Sequence, residues 1–466
     1  MSATTIQDGL PPGLRLWAVL ALVFAIAMAA LDTSIANTAL PTIAADVHAS
    51  PASSVWVVNA YQLVLVATLL PFASLGEILG YRRIYIAGLV VFTVGSLLCA
   101  LSWSLPTLTG ARVLQAVGAS MIMSVNTALI RFIYPAKSLG KGVGFNALVV
   151  AVSTAAGPTF AAGVLAVASW QYLFAINVPF GVVAFVLGLR SLPETPRAGH
   201  RFDMTSAALN AATFGLLIFG IGEAAHKADR ITVAAVLTGF LVCGVLLVRR
   251  QLSLTAPLLP VDLYRRPMFA LSSATSMCSF TAWGLAFVSL PFFFQTTLGH
   301  SAVQTGLLLT PWPVATAIMA PIAGPLSDRL PPAILGGIGM AMLCAGLVLM
   351  AGLPANPGTG DIVWRMLVCG AGFGFFQSPN LKAIMSSAPP ARSGSASGIV
   401  ATSRLVGQAV GAALVALCFG IAGLHGPVLA LSLGAGFAGA ASLVSFSRLL
   451  PARPRADEPA RNHLLQ

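Results

Sequence analysis

Charge is what this sequence has least of. Only 8% of its 466 residues are Asp, Glu, Lys or Arg, against about 25% in soluble domains, so a water-facing globular fold is excluded. Acids are scarcer still, 13 against 25 bases, for a net charge of +12. A nucleic-acid binder gathers such an excess on one solvated face. Here the bases are scattered over short loops, the pattern of membrane topology. The six cysteines, Cys99, Cys243, Cys278, Cys344, Cys369 and Cys418, each lie in an apolar run and form no CxxC pair, which argues against disulfides and metal ligation. The histidines fall in loops or near the termini. No GxxxxGK, HExxH or GxSxG motif occurs, so ATP hydrolysis and metal or nucleophilic catalysis have no residues to carry them, and no cofactor is expected.

What the chain has instead is apolar length: 57% hydrophobic residues and a mean hydropathy of +0.89. A hydrocarbon core about 30 Å thick needs about 20 such residues per helix. On that basis the sequence predicts an all-α polytopic membrane protein. Its spans fall near 15–36, 55–75, 84–103, 106–130, 142–165, 171–190, 204–223, 231–249, 268–296, 302–326, 332–352, 361–385, 395–419 and 426–447, fourteen in all. The first span, led only by Arg15, is read as retained and not as a cleaved signal. Bases from Arg15, Arg82 and Arg83 through Lys382 and Arg448 collect on one side, with Lys227 and Arg230 on the other. Cytoplasmic loops hold that excess, so both termini are expected in the cytoplasm, where the basic loops would meet anionic lipid headgroups. Arg112, Arg365 and Arg404 fall inside spans.

An internal repeat supplies the architecture. Leu75-Gly76-Glu77-Ile78 and Leu326-Ser327-Asp328-Arg329 stand 251 residues apart, Arg112 and Arg365 stand 253 apart, and Gly157 and Gly411 stand 254 apart. One shared offset implies two pseudo-symmetric six-helix bundles, 1–198 and 263–448, with two inserted helices at 199–262 and a basic tail at 449–466. Parallel repeats of this kind put the substrate path at their interface near the bilayer midplane.

Asp32, in the stretch Leu31-Asp32-Thr33-Ser34-Ile35-Ala36-Asn37, is the one acid that falls well within a span. An ionised carboxylate in hydrocarbon costs roughly 2.5 kcal/mol or more, so it is expected to face a wet cavity and to act there as a proton-binding group. Arg112 and Gln115 are three apart and share a helix face. An arginine keeps its proton, so Arg112 either sets the charge state of a neighbouring carboxylate, with Asp32 as the candidate, or snorkels to the headgroups past Pro106.

The segments LDTSIANTALPTI, ARVLQAVGAS, AAGPTFAAG and GPLSDR together resemble the fourteen-spanner drug:proton antiporter branch of the major facilitator superfamily, over essentially the whole chain. The resemblance implies two bundles that rock about a central cavity and export amphipathic or cationic compounds in exchange for protons, with Asp32 and Arg112 in proton coupling. It makes Gly157-Pro158 the antiporter bend; the residues alone describe a small-residue packing face interrupted by proline. It makes Glu77, Gly80, Arg82, Arg83, Asp328 and Arg329 a cytoplasmic gate, although a charged turn that fixes topology accounts equally for Arg82 and Arg83. This copy departs from the motif at Ala73, Glu77 and Ile78, and Pro331-Pro332 interrupts the second copy.

Polar residues inside spans, Asn59, Gln62, Gln115, Asn126, Asn146, Gln377 and Asn380, and the aromatics Trp283, Trp312 and Phe376 are candidates to line the substrate cavity. Aromatic walls with few polar groups suit bulky apolar or cationic ligands, though most membrane aromatics only pack. Phe292 to Phe294 are expected near an interfacial belt. Pro311-Trp312-Pro313 and Ser403-Arg404 occupy places where some related pumps carry a second buried acid, which argues against dicationic substrates. The alternatives are a carrier for a metabolite such as a sugar or organic acid and, more remotely, a polytopic membrane enzyme or receptor. Nothing in the chain demands more than a monomer.

Overall fold

The computed structural model describes residues 8–199, 201–225, 229–254, 257–389 and 392–449. Lys227 and, apart from Leu449, the basic tail lie outside them. The described residues are helical, with no strand. In chain order come α1 (Pro12–Asp46), α2 (Pro51–Ser54), α3 (Trp56–Leu79), α4 (Tyr81–Ala100), α5 (Leu105–Ile133), α6 (Leu139–Val167), α7 (Gln171–Ala175) and α8 (Asn177–Ser191). A hairpin of α9 (Met204–Ala225) and α10 (Arg230–Ser253) follows. The remainder is α11 (Pro267–Phe292), α12 (Ala302–Leu309), α13 (Pro311–Leu326), α14 (Pro332–Ala351), α15 (Thr359–Ser387), α16 (Ser393–Ala422) and α17 (Gly426–Ser447).

Twelve stretches are long and apolar enough to cross a membrane by length and composition, not the fourteen expected. Two local features account for the difference. The turn at Gly423–His425 is so short that α16 and α17 run on as one apolar stretch, Ala396–Ser447. Helix α15, which is absent from the twelve, carries Asp361, Arg365, Gln377, Ser378, Asn380 and Lys382, and these lower its hydropathy.

Local chemistry sets several helix ends. Ser104 with Thr107, and Ser301 with Gln304, form reciprocal capping boxes at the starts of α5 and α12. Gly80 ends α3 at φ +99°, where a side chain would be strained. Helix α1 runs ten residues past its predicted end at 36, through Asn37, Thr38 and Pro41. Asn37 and Thr38 are buried within the continued helix, and the Thr38 hydroxyl donates to Ser34 O at 3.0 Å.

Packing groups the helices. Helix α4 lies on α5 and α8, α3 on α5, and α1 on α6 and α8. Separately, α14 lies on α15 and α17, α11 on α16 and α17, and α13 on α15. The α9–α10 hairpin is peripheral, with α9 touching α3 and α16. The two groups meet chiefly away from the end that carries Arg82, Arg83 and Lys382, called the basic end below. There Thr42 Oγ1 donates to Gln295 Oε1 at 3.2 Å, and the Thr159 and Thr310 hydroxyls share a hydrogen bond of 2.7 Å. Thr42 and Gln295 are 253 residues apart, the same spacing as Arg112 and Arg365 in the sequence. One buried cluster there joins Leu40 and Ile43 of α1, Val288 and Phe292 of α11, and Val415 and Phe419 of α16.

The hairpin is fastened at the basic end. The Asp203 carboxylate accepts from Ser206 N at 3.0 Å and Ser206 Oγ at 2.6 Å, and from Arg250 at 2.8 Å, while Gln251 Nε2 donates to Ser206 Oγ at 2.7 Å. Burial pushes the Asp203 carboxyl up, but the hydrogen bonds from Arg250 and Ser206 outweigh it and hold it at about 2. Its contribution is therefore complete above the usual carboxylate range and is lost as pH falls from about 4 toward 2. Asp203→Ala should cost about 1 kcal/mol as a lost N-cap, and Asp203→Asn, which keeps the cap, should cost less. Thermal unfolding in detergent checks both, and the Asp203→Ala deficit should shrink toward pH 2.

Candidate functional site

Asp32 is 1% exposed, and so is Arg112. Their helices, α1 and α5, bring Arg112 Nη1 within 2.5 Å of Asp32 Oδ2. The other carboxylate oxygen accepts from Gln115 Nε2 at 2.8 Å and Asn177 Nδ2 at 3.1 Å. Gln115 also receives Arg112 Nη1 at 2.6 Å on its Oε1 and donates to Ser96 Oγ at 2.9 Å. The guanidinium lies over the Tyr61 ring at 4.0 Å and near the Phe174 ring at 5.5 Å, and Arg112 Nε donates to Val57 O at 3.3 Å. Of the two readings of Arg112, this geometry selects the carboxylate partner over the headgroup.

The wet cavity expected around Asp32 is not what surrounds it. Every described partner belongs to α1–α8, and the carboxylate is sealed from solvent. A desolvated carboxylate is stable without water when a guanidinium and amide donors replace the hydration shell. Removing one member of such a pair typically costs about 3–5 kcal/mol, because it strands the other charge.

Half a turn along α1, Ser34 meets the Gly157-Pro158 bend. Pro158 has no N–H, so the carbonyl of Thr154 loses its helical donor. The Ser34 hydroxyl supplies one at 3.1 Å. Gly157 makes the approach possible, since a Cβ there would overlap the Ser34 side chain. On the other side of the bend, a Cβ at Gly306 of α12 would strike Pro158 O and Ala162. The bend is thus wedged between the acid-bearing helix and the opposite group of helices.

The expected gate residues pair locally. Arg82 bonds Glu194, and its Nη2 donates to Leu189 O at 2.6 Å. Ala198 N donates to Glu77 O at 2.7 Å. Asp328 pairs with Lys382, whereas Arg83 and Arg329 are exposed. Each of these pairs stays on its own side of the interface. Arg365 repeats Arg112 in position but not in partner: it reaches Asp361 of its own helix at 3.1 Å and Leu349 O at 2.6 Å. The repeat offset carries Asp32 to the stretch 283–286, Trp-Gly-Leu-Ala, which has no acid.

The expected cavity lining disperses. Asn59 is buried with both polar side-chain atoms unpartnered, as is Gln62 Oε1. Asn126 donates to Asn146 at 2.7 Å, and Gln377 is half-buried. Asn380 donates to Ser272 O at 3.1 Å and accepts from Arg448 at 3.0 Å, which ties it into a lock between helices. Trp283 stacks on Phe287 at 4.2 Å, Phe287 meets Trp312 edge-on at 5.1 Å, and Phe376 is buried with them in one core cluster. Phe292 to Phe294 are buried as well, which corrects the interfacial belt. Asn177, Ser34, Ser96 and Tyr61 join the site only through the fold. Asn177 was visible as a lone amide between apolar neighbours in Phe174-Ala175-Ile176-Asn177-Val178.

The family model described as Major Facilitator Superfamily matches residues 22–412. The chain is 54% identical over 451 residues to the uncharacterized transporter YebQ of Escherichia coli K12, covering 96% of this chain and 99% of that one. It is 31% identical to the riboflavin transporter RibZ of Clostridioides difficile, covering 86% of this chain and 88% of RibZ. It is 30% identical to the multidrug efflux pump LfrA of Mycolicibacterium smegmatis, covering 87% of this chain and 81% of LfrA.

The wedge at Ser34 and Gly157 yields a stability test in detergent. Gly157→Val should overpack the contact and cost about 1–3 kcal/mol. Ser34→Ala, which only orphans the Thr154 carbonyl, should cost about 1 kcal/mol. Equal thermal midpoints for Gly157→Val and wild type would mean that the close approach is not maintained.

Proposed function

The chain belongs to the Major Facilitator Superfamily, and from that premise we propose that it is a proton-coupled antiporter exporting amphipathic small molecules across a bacterial inner membrane by alternating access. The observation that carries this reading is the sealed Asp32–Arg112 pair. It is the one carboxylate–guanidinium pair among the described residues in which both side chains are fully buried, and a charge pair held out of water responds strongly to a single proton.

In this reading the basic end is cytoplasmic, as are both termini. The contacts Thr42–Gln295 and Thr159–Thr310 are then the closed extracellular gate. We assign the arrangement seen here to the stage after proton release, with Asp32 held by Arg112. Opening outward hydrates the site, and a proton on Asp32 cancels the charge that Arg112 answers. The freed guanidinium no longer ties α5 to α1, and the bundles re-pack around the Gly157-Pro158 wedge. Opening inward returns the proton and reforms the pair.

Fourteen spans follow if α15 crosses the membrane despite its polar residues and α16 and α17 are counted separately. The bundles are then 1–198 and 263–448, with 199–262 inserted as a peripheral pair. The working unit is a monomer whose basic loops contact anionic headgroups. Substrate binds at the interface of the bundles, with Asn59 and Gln62 offering unmet hydrogen-bonding atoms. Cationic compounds, the other class expected, would need Asp32 released from its three donors, so cation and proton compete for one acid. A second reading, a carrier for a metabolite, draws on the similarity to RibZ. Intracellular accumulation of dyes compared with that of riboflavin, with and without expression, separates the two.

Asp32→Asn should insert and fold yet abolish solute movement driven by a pH gradient in liposomes. The double variant Asp32→Asn/Arg112→Gln leaves no stranded charge, so it should recover any lost stability but not the coupling. Undiminished pH-driven efflux by either variant would reject the mechanism.

A further inference from the structure

Arg404 is the intramembrane arginine that the proton site does not use. It sits eleven residues into α16, about 16 Å from the helix start at 1.5 Å per residue, too deep for easy snorkelling. The other two arginines inside predicted spans, and Arg448 just past the end of α17, all have partners. Arg112 has Asp32, Arg365 has Asp361, and Arg448 has Ser272, Asn380 and Ser445. Among the described residues Arg404 has no hydrogen-bond or ion-pair partner. Gln408, one turn on and on the same face, has none for its side chain either.

The direction of that face follows from its neighbours. Gly407 and Gly411 of α16 pack against α11, on Met277, Phe280 and Thr281. Leu405, Ala409 and Ala413 pack against α3 and α9. The stripe of Ser397, Ala401, Arg404 and Gln408 runs between those two contacts, toward the cleft between the helix groups. Ser397 is exposed and the other three are half-buried. On the same stripe nearer the opposite end, Val415 is 0% and Phe419 is 7% exposed. The cleft therefore opens at the basic end and is sealed above Gln408. The other accessible face of α16, Val410, Leu414 and Leu417, is wholly apolar and suits lipid. An unpaired guanidinium in hydrocarbon costs at least about 2.5 kcal/mol, so it belongs in a wet cleft with an anion to receive.

We infer that Arg404, seconded by Gln408, binds the anionic group, a carboxylate, sulfonate or phosphate, of an amphipathic solute that enters the cleft from the basic end. A guanidinium offers such groups a planar fork of donors that a lone amide or hydroxyl does not match. This deepens the transport reading, on which it rests, by assigning the solute a negative or zwitterionic head, opposite in sign to the substrates that a second buried acid would select.

The test uses three probes with one fluorophore: dansylglycine, dansylcholine and dansylamide, which are anionic, cationic and neutral. Binding to the full chain is measured in nanodiscs of zwitterionic lipid. Wild type should bind dansylglycine at least tenfold more tightly than dansylcholine. Arg404→Gln should erase that preference while keeping dansylamide affinity, and Arg404→Lys should retain part of it. Three outcomes overturn the assignment: no anion preference in wild type, a preference that survives in Arg404→Gln, or one abolished by adding anionic lipid, which would make the ligand a headgroup. Liposome flux separates this from the parent reading. An intact preference without pH-driven flux of dansylglycine counts against antiport alone.

Discussion

A guanidinium and a carboxylate held together out of water are the constraint on which the rest of this molecule depends. In bulk water such a pair is worth about 1 kcal/mol at 4 Å, and its strength rises as the surroundings lose polarity. Asp32 and Arg112 are each 1% exposed, and amide donors from Gln115 and Asn177 complete the carboxylate's shell. The pair ties α1 to α5, with α8 joined through Asn177. One proton on Asp32 alters the interaction of three helices at once, so a chemical event of one charge reaches the bundle scale.

The sequence offset that relates Arg112 to Arg365 does not carry Asp32 onto a second acid. Arg365 stands where Arg112 stands in the other half, but the acid is missing from 283–286 and Asp361 of its own helix takes its place. The buried pair of acid and arginine from different helices is thereby confined to the first half. In the second half Trp283, Phe287 and Trp312 fill the corresponding space with an aromatic core, and Arg404 has no hydrogen-bond or ion-pair partner among the described residues. The Gly157-Pro158 bend joins the two. Its orphaned carbonyl is satisfied by Ser34, two residues from Asp32, and its far side receives Gly306.

Much of this was legible in the residues because burying charge is costly. Asp32 and Arg112 each announce a partner, and two charges of opposite sign within spans are candidates for one another. The repeat offset was equally plain, since Gly, Arg and acid-bearing turns recur at nearly one spacing. Other features were not legible, for identifiable reasons. Aromatic residues lining a cavity and aromatic residues packed in a core have the same composition, so the sequence alone does not separate the two roles for Trp283, Trp312 and Phe376. Asn380 looked available because its partner Arg448 is 68 residues away. Asn37, Thr38 and Pro41 resemble a helix end in the sequence, and only tertiary burial carries α1 past them. Which end of the cleft is closed depends on contacts between distant helices, such as Thr42 with Gln295, and no local pattern encodes it.

The central claim is that the buried acid takes up and releases the coupled proton. Infrared difference spectroscopy of the protein in bilayers, taken across a pH titration, observes that event directly through the stretch of a protonated carboxyl group. The account predicts a carboxyl band that appears on acidification in wild type and is missing from Asp32→Asn. A titrating band that is identical in both proteins would contradict it.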